Sequence, residues 1–251
     1  MGKVSPLHPR AESLRIRGRL VKGFRSGLVV AEGLAAHGRG EAFDYIIGEK
    51  TTEHAKKAAE AAVAMLLLAK RPVISVNGNV AALVPKEVVR LADLVGAKLE
   101  VNLFHGSVER EVKIEKHLRK HGAKEVLGVD RKFFTRIDEI HSDRRKVDKR
   151  GIAAADVVLV PLEDGDRTEA LKKLCKKVVT IDLNPMSRTA RAANVTIVDN
   201  VIRALTLMVG IAKKLSRWDP AKLHKTTCGF DNTKNLKAMT ELISKGLAKT
   251  R

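Results

Sequence analysis

Residues 155–190 read ADVVLVPLEDGDRTEALKKLCKKVVTIDLNPMSRTA, and this stretch decides the fold. It contains two almost uninterrupted apolar runs, Asp156 to Pro161 and Lys177 to Leu183, with a helical stretch between them, Arg167 to Cys175. Apolar runs without polar alternation are typical of parallel strands that helices cover on both faces. The stretch therefore predicts one strand–helix–strand unit of a parallel sheet.

The same alternation continues toward both ends of the chain. Further β-rich runs are Val73 to Val76, Lys98 to Leu103, Glu125 to Val129 and Val195 to Val198, with helical stretches such as Lys86 to Val95 and Asn200 to Lys214 beside them. This repetition predicts an α/β fold, Rossmann-like and doubly wound, with a mostly parallel sheet. We interpret the densely charged segment from Arg131 to Arg150 as a solvated insertion.

Helical segments are also predicted on both sides of the sheet. The first helix is expected over Ala11 to Val21, the second over Ser26 to Ala36 with a break at the glycines that follow, and a third is capped by Thr51 or Thr52. We expect a single α/β domain over residues 1–251, with an N-terminal helical part (1–71), a parallel-sheet core (72–204) and C-terminal helices (205–251).

The net charge favours an anionic ligand, either a nucleic acid or a small molecule. The 251 residues include 48 basic and 29 acidic side chains, which gives a formal net charge of +19. A basic nucleic-acid-associated protein would show such a charge, and so would a protein that handles multiply anionic small molecules. The few aromatic residues and the lack of a recognisable nucleic-acid-binding module favour the second class, and no nucleic-acid partner is expected.

The sequence patterns predict a cytoplasmic location. The uncharged apolar stretch from Ala61 to Ala69 is far shorter than the ~20 residues that span a bilayer. The first twenty residues lack the apolar segment of a secretory signal. Cys175 and Cys228 are interpreted as two reduced thiols.

The loops after the predicted strands carry the polar residues on which a function can depend. Ligands of open parallel sheets bind beyond the carboxyl ends of the strands. Asn77, Gly78 and Asn79 follow the first strand, where a plain turn would need the same residue types, and Asn102 lies just inside the end of the second. After the Asp156 run, residues 163–168 read EDGDRT. Helix capping explains one of these acids, whereas Mg²⁺ or an ammonium group would explain the others.

The loop from Asp182 to Thr189 is the most informative. An acid at this strand end can accept hydrogen bonds from ribose hydroxyls, and the residues from Ser187 to Thr189 lie where a helix N-terminus would meet phosphate. Asp199 and Asn200 hold the same position after the next strand and could contact adenine or ribose. Because the chain has neither a G-x-x-x-x-G-K-[ST] nor a G-x-G-x-x-G motif, these loops predict a nucleotide site without a P-loop.

Arg39 stands between two glycines and is predicted to be exposed and able to bind phosphate. The alternative is a simple glycine break between two helices.

These stretches resemble the archaeal 4-phosphopantoate:β-alanine ligase family, also called phosphopantothenate synthetase. The motifs that carry the resemblance are HGRGEAFDY (37–45), VISVNGNVAAL (73–83), LEVNLF (99–104), ADVVLVPLEDGDRTEA (155–170), IDLNPMSRTA (181–190) and TIVDN (196–200). They occur in order over roughly residues 9 to 203, and the tail beyond Leu205 carries little of the match.

The resemblance implies a homodimeric, ATP-dependent ligase of coenzyme A biosynthesis that releases AMP and pyrophosphate through an acyl adenylate, and Mg²⁺ is the expected metal cofactor. It implies that ATP is held by Arg17, Arg39, Asp182, Leu183, Asn184, Arg188, Thr189, Asp199 and Asn200. Our hypothesis is that Arg39, Arg188 and Mg²⁺ neutralise the developing phosphate charge. Asp164 and Asp166 are expected to hold Mg²⁺ or the β-alanine ammonium, and Asn77, Asn79 and Asn102 to line the phosphopantoate pocket. Another nucleotide-dependent enzyme on a Rossmann-like fold remains the alternative.

Overall fold

The computed structural model describes Ser5, Leu7, His8 and residues 10–248. Residues 1–4 and 249–251, at the two ends of the predicted domain, lie outside the described residues.

The strands are β1 (Pro72–Val76), β2 (Lys98–Val101), β3 (Phe134–Arg136), β4 (Lys146–Asp148), β5 (Val157–Pro161), β6 (Lys177–Ile181) and β7 (Val195–Ile197). The α-helices are α1 (Ala11–Arg25), α2 (Ala31–Ile47), α3 (Glu53–Leu68), α4 (Gly78–Leu83), α5 (Pro85–Val95), α6 (Val108–Lys120), α7 (Gly165–Lys173), α8 (Arg188–Ala192), α9 (Val201–Leu215), α10 (Pro220–Cys228) and α11 (Asn232–Ala248).

Five strands form one parallel sheet in the order β2-β1-β5-β6-β7. The strand order reverses at β1, which has β2 on one side and β5 on the other. Such a reversal opens a crevice at the carboxyl ends of the two strands that diverge there, and ligands of doubly wound sheets bind in that crevice. The topology therefore marks the β1–β5 edge as the first place to look for a site.

Both faces of the sheet are buried, as the uninterrupted apolar runs predict. Along β5, Val157 and Leu159 pack into the larger hydrophobic core, whereas Val158 and Val160 pack into the smaller one on the opposite face. Successive side chains of a strand point to opposite faces, so a strand covered on both sides is apolar throughout. The α/β, doubly wound fold is confirmed. Within the described part of the chain, no helix is long and apolar enough to cross a membrane.

The predicted break in the second helix is wrong, because α2 continues through Gly38 and Gly40 to Ile47. A Cβ at Gly40 would lie 3.5 Å from Leu183 Cδ1, so the helix packs directly on the loop after β6. The helix ends at Gly48, whose φ of +93° suits glycine. Tertiary packing outweighs the cost of about 1 kcal/mol that glycine imposes on a helix interior.

The strand predicted from Glu125 to Val129 is also wrong in extent, since only Leu127 pairs with the sheet, as a single bridge to Glu100. Gly128 has a φ of +81°, and a Cβ there would lie 2.2 Å from the carbonyl oxygen of Val101. The backbone therefore turns away from the sheet immediately after the bridge.

The segment from Arg131 to Arg150 is not a solvated insertion. It contains the antiparallel β3–β4 pair, and Ile140 and Val147 are completely buried against the sheet. Glu100, at the end of β2, accepts hydrogen bonds from the backbone N–H groups of Asp148 (2.9 Å) and Ile152 (2.6 Å). A buried carboxylate thus binds the segment to the sheet, which explains how so charged a sequence folds against the core.

Candidate active site

The loop after β6 is held by its own side chains. Asp182 accepts hydrogen bonds from the Ser187 hydroxyl and from the backbone N–H of Asn184 at 2.9 Å. Ser187 also caps α8 by accepting from the N–H of Ala190 at 2.9 Å. Burial raises the pKa of Asp182 above its usual value, and the charge of Arg39 opposes that rise. These hydrogen bonds hold the loop conformation, and the charge of Arg39 acts on its carboxylate.

The loop after β7 is equally well connected. Asp199 accepts from the Thr51 hydroxyl at 2.6 Å and from Arg203 Nε at 2.9 Å. Asn200 caps α9 by accepting from the N–H of Ile202 at 3.0 Å. Because β6 and β7 are neighbours, the two loops that were predicted to hold the nucleotide lie side by side. Their contacts with ATP stay a prediction.

Two residues that the sequence reasoning missed connect these loops to α2. Arg203 Nη2 lies 2.7 Å from Asp199 Oδ1, and Arg203 also pairs with Asp44, whose side chain is buried. Asn200 Nδ2 donates to Asp44 Oδ2 at 3.2 Å. Asp44 belongs to the 37–45 motif, yet nothing in local spacing indicates a partner at position 203. This network fixes α2 over the strand ends.

Arg17 and Arg39 occupy different places. Arg39 is exposed on α2, as predicted, and forms no hydrogen bond or ion pair with the described residues. Arg17 Nε donates to both carboxylate oxygens of Glu41, at 3.1 and 2.9 Å. Arg17 and Glu41 line a wide groove of about 900 Å³ between α1 and α2, together with His37 and Tyr45. The described contacts of Arg17 are thus with α2 and not with the strand-end loops.

The acidic loop after β5 encloses two buried arginines. Arg144 and Arg167 are 5% and 0% exposed, and both form ion pairs with Glu163. Arg167 Nη1 also donates to the Ser75 hydroxyl at 3.1 Å, and Arg144 Nε lies 3.4 Å from Asp164 Oδ2. Burial lowers the pKa of each arginine to about 10, so both stay charged at neutral pH. Arg144 comes from the segment that was predicted to be solvated.

The three asparagines predicted to contact substrate also make structural hydrogen bonds. Asn77 caps α4 and donates to the carbonyl of Pro161 at 2.9 Å, which joins the ends of β1 and β5. Asn79 Nδ2 donates to the carbonyl of Gly33 at 2.8 Å. Asn102 Nδ2 donates to the carbonyl of Lys146 at 2.8 Å, while its buried Oδ1 has no hydrogen-bond partner in the described part of the chain.

The two aspartates of the acidic loop differ in whether their carboxylates are paired within the protein. Asp164 is paired with Arg144, whereas Asp166, in the first turn of α7, makes no hydrogen bond or ion pair with the described residues. Among residues 10–248, no group of three His, Cys, Asp or Glu side chains could hold a metal ion. Mg²⁺ that arrives with phosphates needs only one or two carboxylates. The loop could therefore meet a nucleotide-borne Mg²⁺ through the carboxylate of Asp166, and a role of Asp164 and Asp166 toward Mg²⁺ or the β-alanine ammonium stays a prediction.

A cavity of about 310 Å³ lies at the β1–β5 crevice. Its wall combines the loops after β1, β2 and β5 with the first turns of α2, and it includes Asp164. The nucleotide loops after β6 and β7 continue along the same edge of the sheet. Two adjoining regions thus lie at the carboxyl edge, one beside the acidic loop and one beside Arg39.

The chain matches known proteins over most of its length. The family model described as phosphopantothenate/pantothenate synthetase matches residues 54–246, so the helical tail contributes more to the match than the sequence motifs indicated. A 4-phosphopantoate–β-alanine ligase of Thermococcus kodakarensis is 52% identical over 237 residues, which are 94% of this chain and 90% of that protein. The ligase of the same name from Methanosarcina mazei is 50% identical, over 94% of this chain and 92% of its own length. With matches of this extent, the chain belongs to the phosphopantothenate/pantothenate synthetase family.

Proposed function

We propose that this chain condenses 4-phosphopantoate with β-alanine in coenzyme A biosynthesis, using ATP and releasing AMP and pyrophosphate. The observation that carries the proposal is the identity of about 50%, over nine-tenths of the chain, with ligases of that name. The carboxyl edge of the sheet supports it, since the loops predicted to hold the nucleotide lie along the same edge as a cavity of about 310 Å³.

The proposed reaction has two steps. A carboxylate oxygen of 4-phosphopantoate attacks the α-phosphorus of ATP, which forms the acyl adenylate and breaks the bond to pyrophosphate. The amine of β-alanine then attacks the acyl carbon, a C–N bond forms, the bond to AMP breaks, and the amine loses a proton. Catalysis of this kind depends on positioning and on cations that meet developing phosphate charge.

Two exposed arginines suit the phosphate side of the reaction. Among residues 10–248, Arg39 has no hydrogen-bond or ion-pair partner, and Arg188 pairs only with Glu169, in an exposed pair whose Nη2–Oε2 distance is 2.8 Å. Exposed pairs of this kind contribute little to stability, so Arg188 can exchange Glu169 for a phosphate oxygen at small cost. Mg²⁺, when bound with ATP, would supply further neutralisation of phosphate charge next to Asp166.

The proposal also includes a homodimer in the cytoplasm. Tyr45, on the wide groove between α1 and α2, is 74% exposed, and Phe24 on α1 is 46% exposed. Large exposed apolar side chains are typical of surfaces that associate. Both cysteines are free and exposed, which suits a reducing compartment.

The function is tested by measuring AMP. Incubation with ATP, Mg²⁺, 4-phosphopantoate and β-alanine is expected to release AMP and 4-phosphopantothenate in equal amounts, and omission of β-alanine should sharply reduce net turnover. The appearance of ADP in place of AMP, or no reaction with this mixture, would contradict the proposal.

Asp166→Asn is expected to lower kcat by on the order of 10²-fold and to raise the Mg²⁺ concentration needed for half-maximal rate, because the carboxylate meets a cation during reaction. The matched control is Asp138→Asn, whose side chain is 88% exposed in the β3–β4 segment. Unchanged kcat and unchanged Mg²⁺ dependence in Asp166→Asn would remove this residue from the reaction.

A further inference from the structure

The crevice cavity is lined by apolar and by charged residues. The apolar residues are Val30, Ala36, Leu103, Phe104 and Leu162, and the charged residues are Arg110, Arg144, Glu32 and Asp164. Its volume of about 310 Å³ is at the lower end of ligand pockets, which suits a small molecule. A small ligand with an apolar body and an anionic group could contact both the apolar residues and an arginine.

Arg110 is held in place before any ligand binds. Its Nε donates to the carbonyl of Leu28 at 3.0 Å, and its Nη1 donates to the carbonyl of His105 at 2.7 Å. Nη2 has no hydrogen-bond partner within the described residues. A Cβ at Gly78 would lie 2.6 Å from Nη2, so a larger residue at position 78 would displace this guanidinium. The cation is therefore fixed, with donors still available on a wall of the cavity.

Arg144 adds a second, buried cation to the same wall. Its Cζ lies 6.0 Å from the centre of the Phe104 ring. Burial is the largest cause of its lowered pKa, and repulsion from Arg167 and Arg110 acts in the same direction. Asp164 and Glu32 compensate part of this charge. Arg144 is paired with Glu163 and Asp164, whereas Arg110 Nη2 has no hydrogen-bond partner among the described residues, so Arg110 is the lining cation with a donor left for an anion.

We propose that this cavity binds the phosphate ester of 4-phosphopantoate, with Arg110 as its principal partner. The inference rests on the proposed function and adds a cationic phosphate partner, because the asparagines at the crevice carry no charge. Arginine presents its donors in a planar fork that matches phosphate oxygens. The apolar lining residues then pack against the dimethyl carbon of the substrate. Asp164 lies on the cavity wall and two residues before Asp166, so the other end of the ligand adjoins the acidic loop.

The phosphate site is tested by calorimetric titration with 4-phosphopantoate, D-pantoate and ATP. Arg110→Gln is expected to weaken 4-phosphopantoate binding about 10- to 100-fold, because a charge-assisted hydrogen bond is lost. Binding of D-pantoate, which has no phosphate, and of ATP should change less than threefold. The control is Lys116→Gln, which removes one positive charge from an exposed position of the same helix, and all affinities should stay at the wild-type values.

A second pair of variants does not disturb the anchoring of Arg110. Ala36 is exposed on the cavity rim, where Glu and Gln differ in charge and not in size. Ala36→Glu is expected to bind 4-phosphopantoate about tenfold more weakly than Ala36→Gln, with equal affinity for D-pantoate. If Arg110→Gln also lowered the Tm or the ATP affinity, the comparison of the two Ala36 variants would decide whether the cavity binds the phosphate.

The outcomes separate the two proposals. Wild-type protein that releases no AMP from the complete mixture overturns the proposed function. If the wild-type protein does release AMP, the proposed function stands. In that case the phosphate site alone is overturned if a stable Arg110→Gln variant binds 4-phosphopantoate normally, or if the two Ala36 variants bind it equally.

Discussion

Glu163→Gln is expected to lower the free energy of unfolding by about 3–5 kcal/mol, the usual cost of removing one partner from a buried ion pair. The Glu163 side chain is 2% exposed and is the carboxylate that Arg144 and Arg167 share. Without its charge, two buried guanidinium groups would repel each other with less compensation. Urea-induced unfolding, followed by circular dichroism at pH 7, measures the difference.

The control for this prediction is Glu169→Gln, in the same helix region. Glu169 is 42% exposed and its partner Arg188 is 66% exposed, so loss of that pair should cost about 0–1 kcal/mol. Equal destabilisation by the two substitutions would mean that the buried pairs contribute no more than a surface pair. In that case, the acidic loop would not be the element that holds the arginines in the crevice.

Arg39→Gln is expected to lower kcat/KM for ATP by on the order of 10²-fold, with almost no change in Tm. The side chain has no partner in the described protein, so its removal leaves the fold intact. The next residue of α2, Gly40, packs on Leu183 in the loop predicted to hold the nucleotide, and the charge of Arg39 acts to lower the pKa of Asp182 in the same loop. Loss of a cation that meets phosphate charge in the transition state costs activity of this order.

Two further variants distinguish charge from geometry at this position. Arg39→Lys should retain part of the activity, because lysine keeps the charge and loses the planar fork. Arg25→Gln, at the exposed end of α1, removes a positive charge elsewhere and should leave kcat/KM unchanged. If Arg25→Gln and Arg39→Gln reduced activity equally, the effect of Arg39 would be only that of net charge.

The candidate site was partly visible in the sequence, because strand ends are local features. The loops that follow β1, β5, β6 and β7 were identified by their Asn and Asp residues, and the fold brings all four to one edge of the sheet. The role of the asparagines was harder to predict. Asn77 and Asn79 form hydrogen bonds to backbone groups distant in sequence, at Pro161 and Gly33, and no local pattern records those contacts.

The arginines of the crevice could not be identified from the sequence. The segment from Arg131 to Arg150 is rich in charge, and charged segments are usually solvated. Arg144 is nevertheless buried, because Glu163 compensates its charge and Glu100 binds the backbone of the same segment. Arg110 lies in the first turns of an amphipathic helix and differs from its charged neighbours only through the carbonyls that hold it.

The sequence by itself determined the five strands of the parallel sheet, their burial on both faces, the fold class and the family. These properties depend on runs of neighbouring residues, where the period of apolar side chains reflects the backbone geometry directly. The tertiary structure alone decided that α2 continues through two glycines, that Asp44 meets Arg203, and that Arg144 and Arg167 share Glu163. Those outcomes depend on which distant groups meet in a low-dielectric interior, where a buried charge is stable only beside its partner.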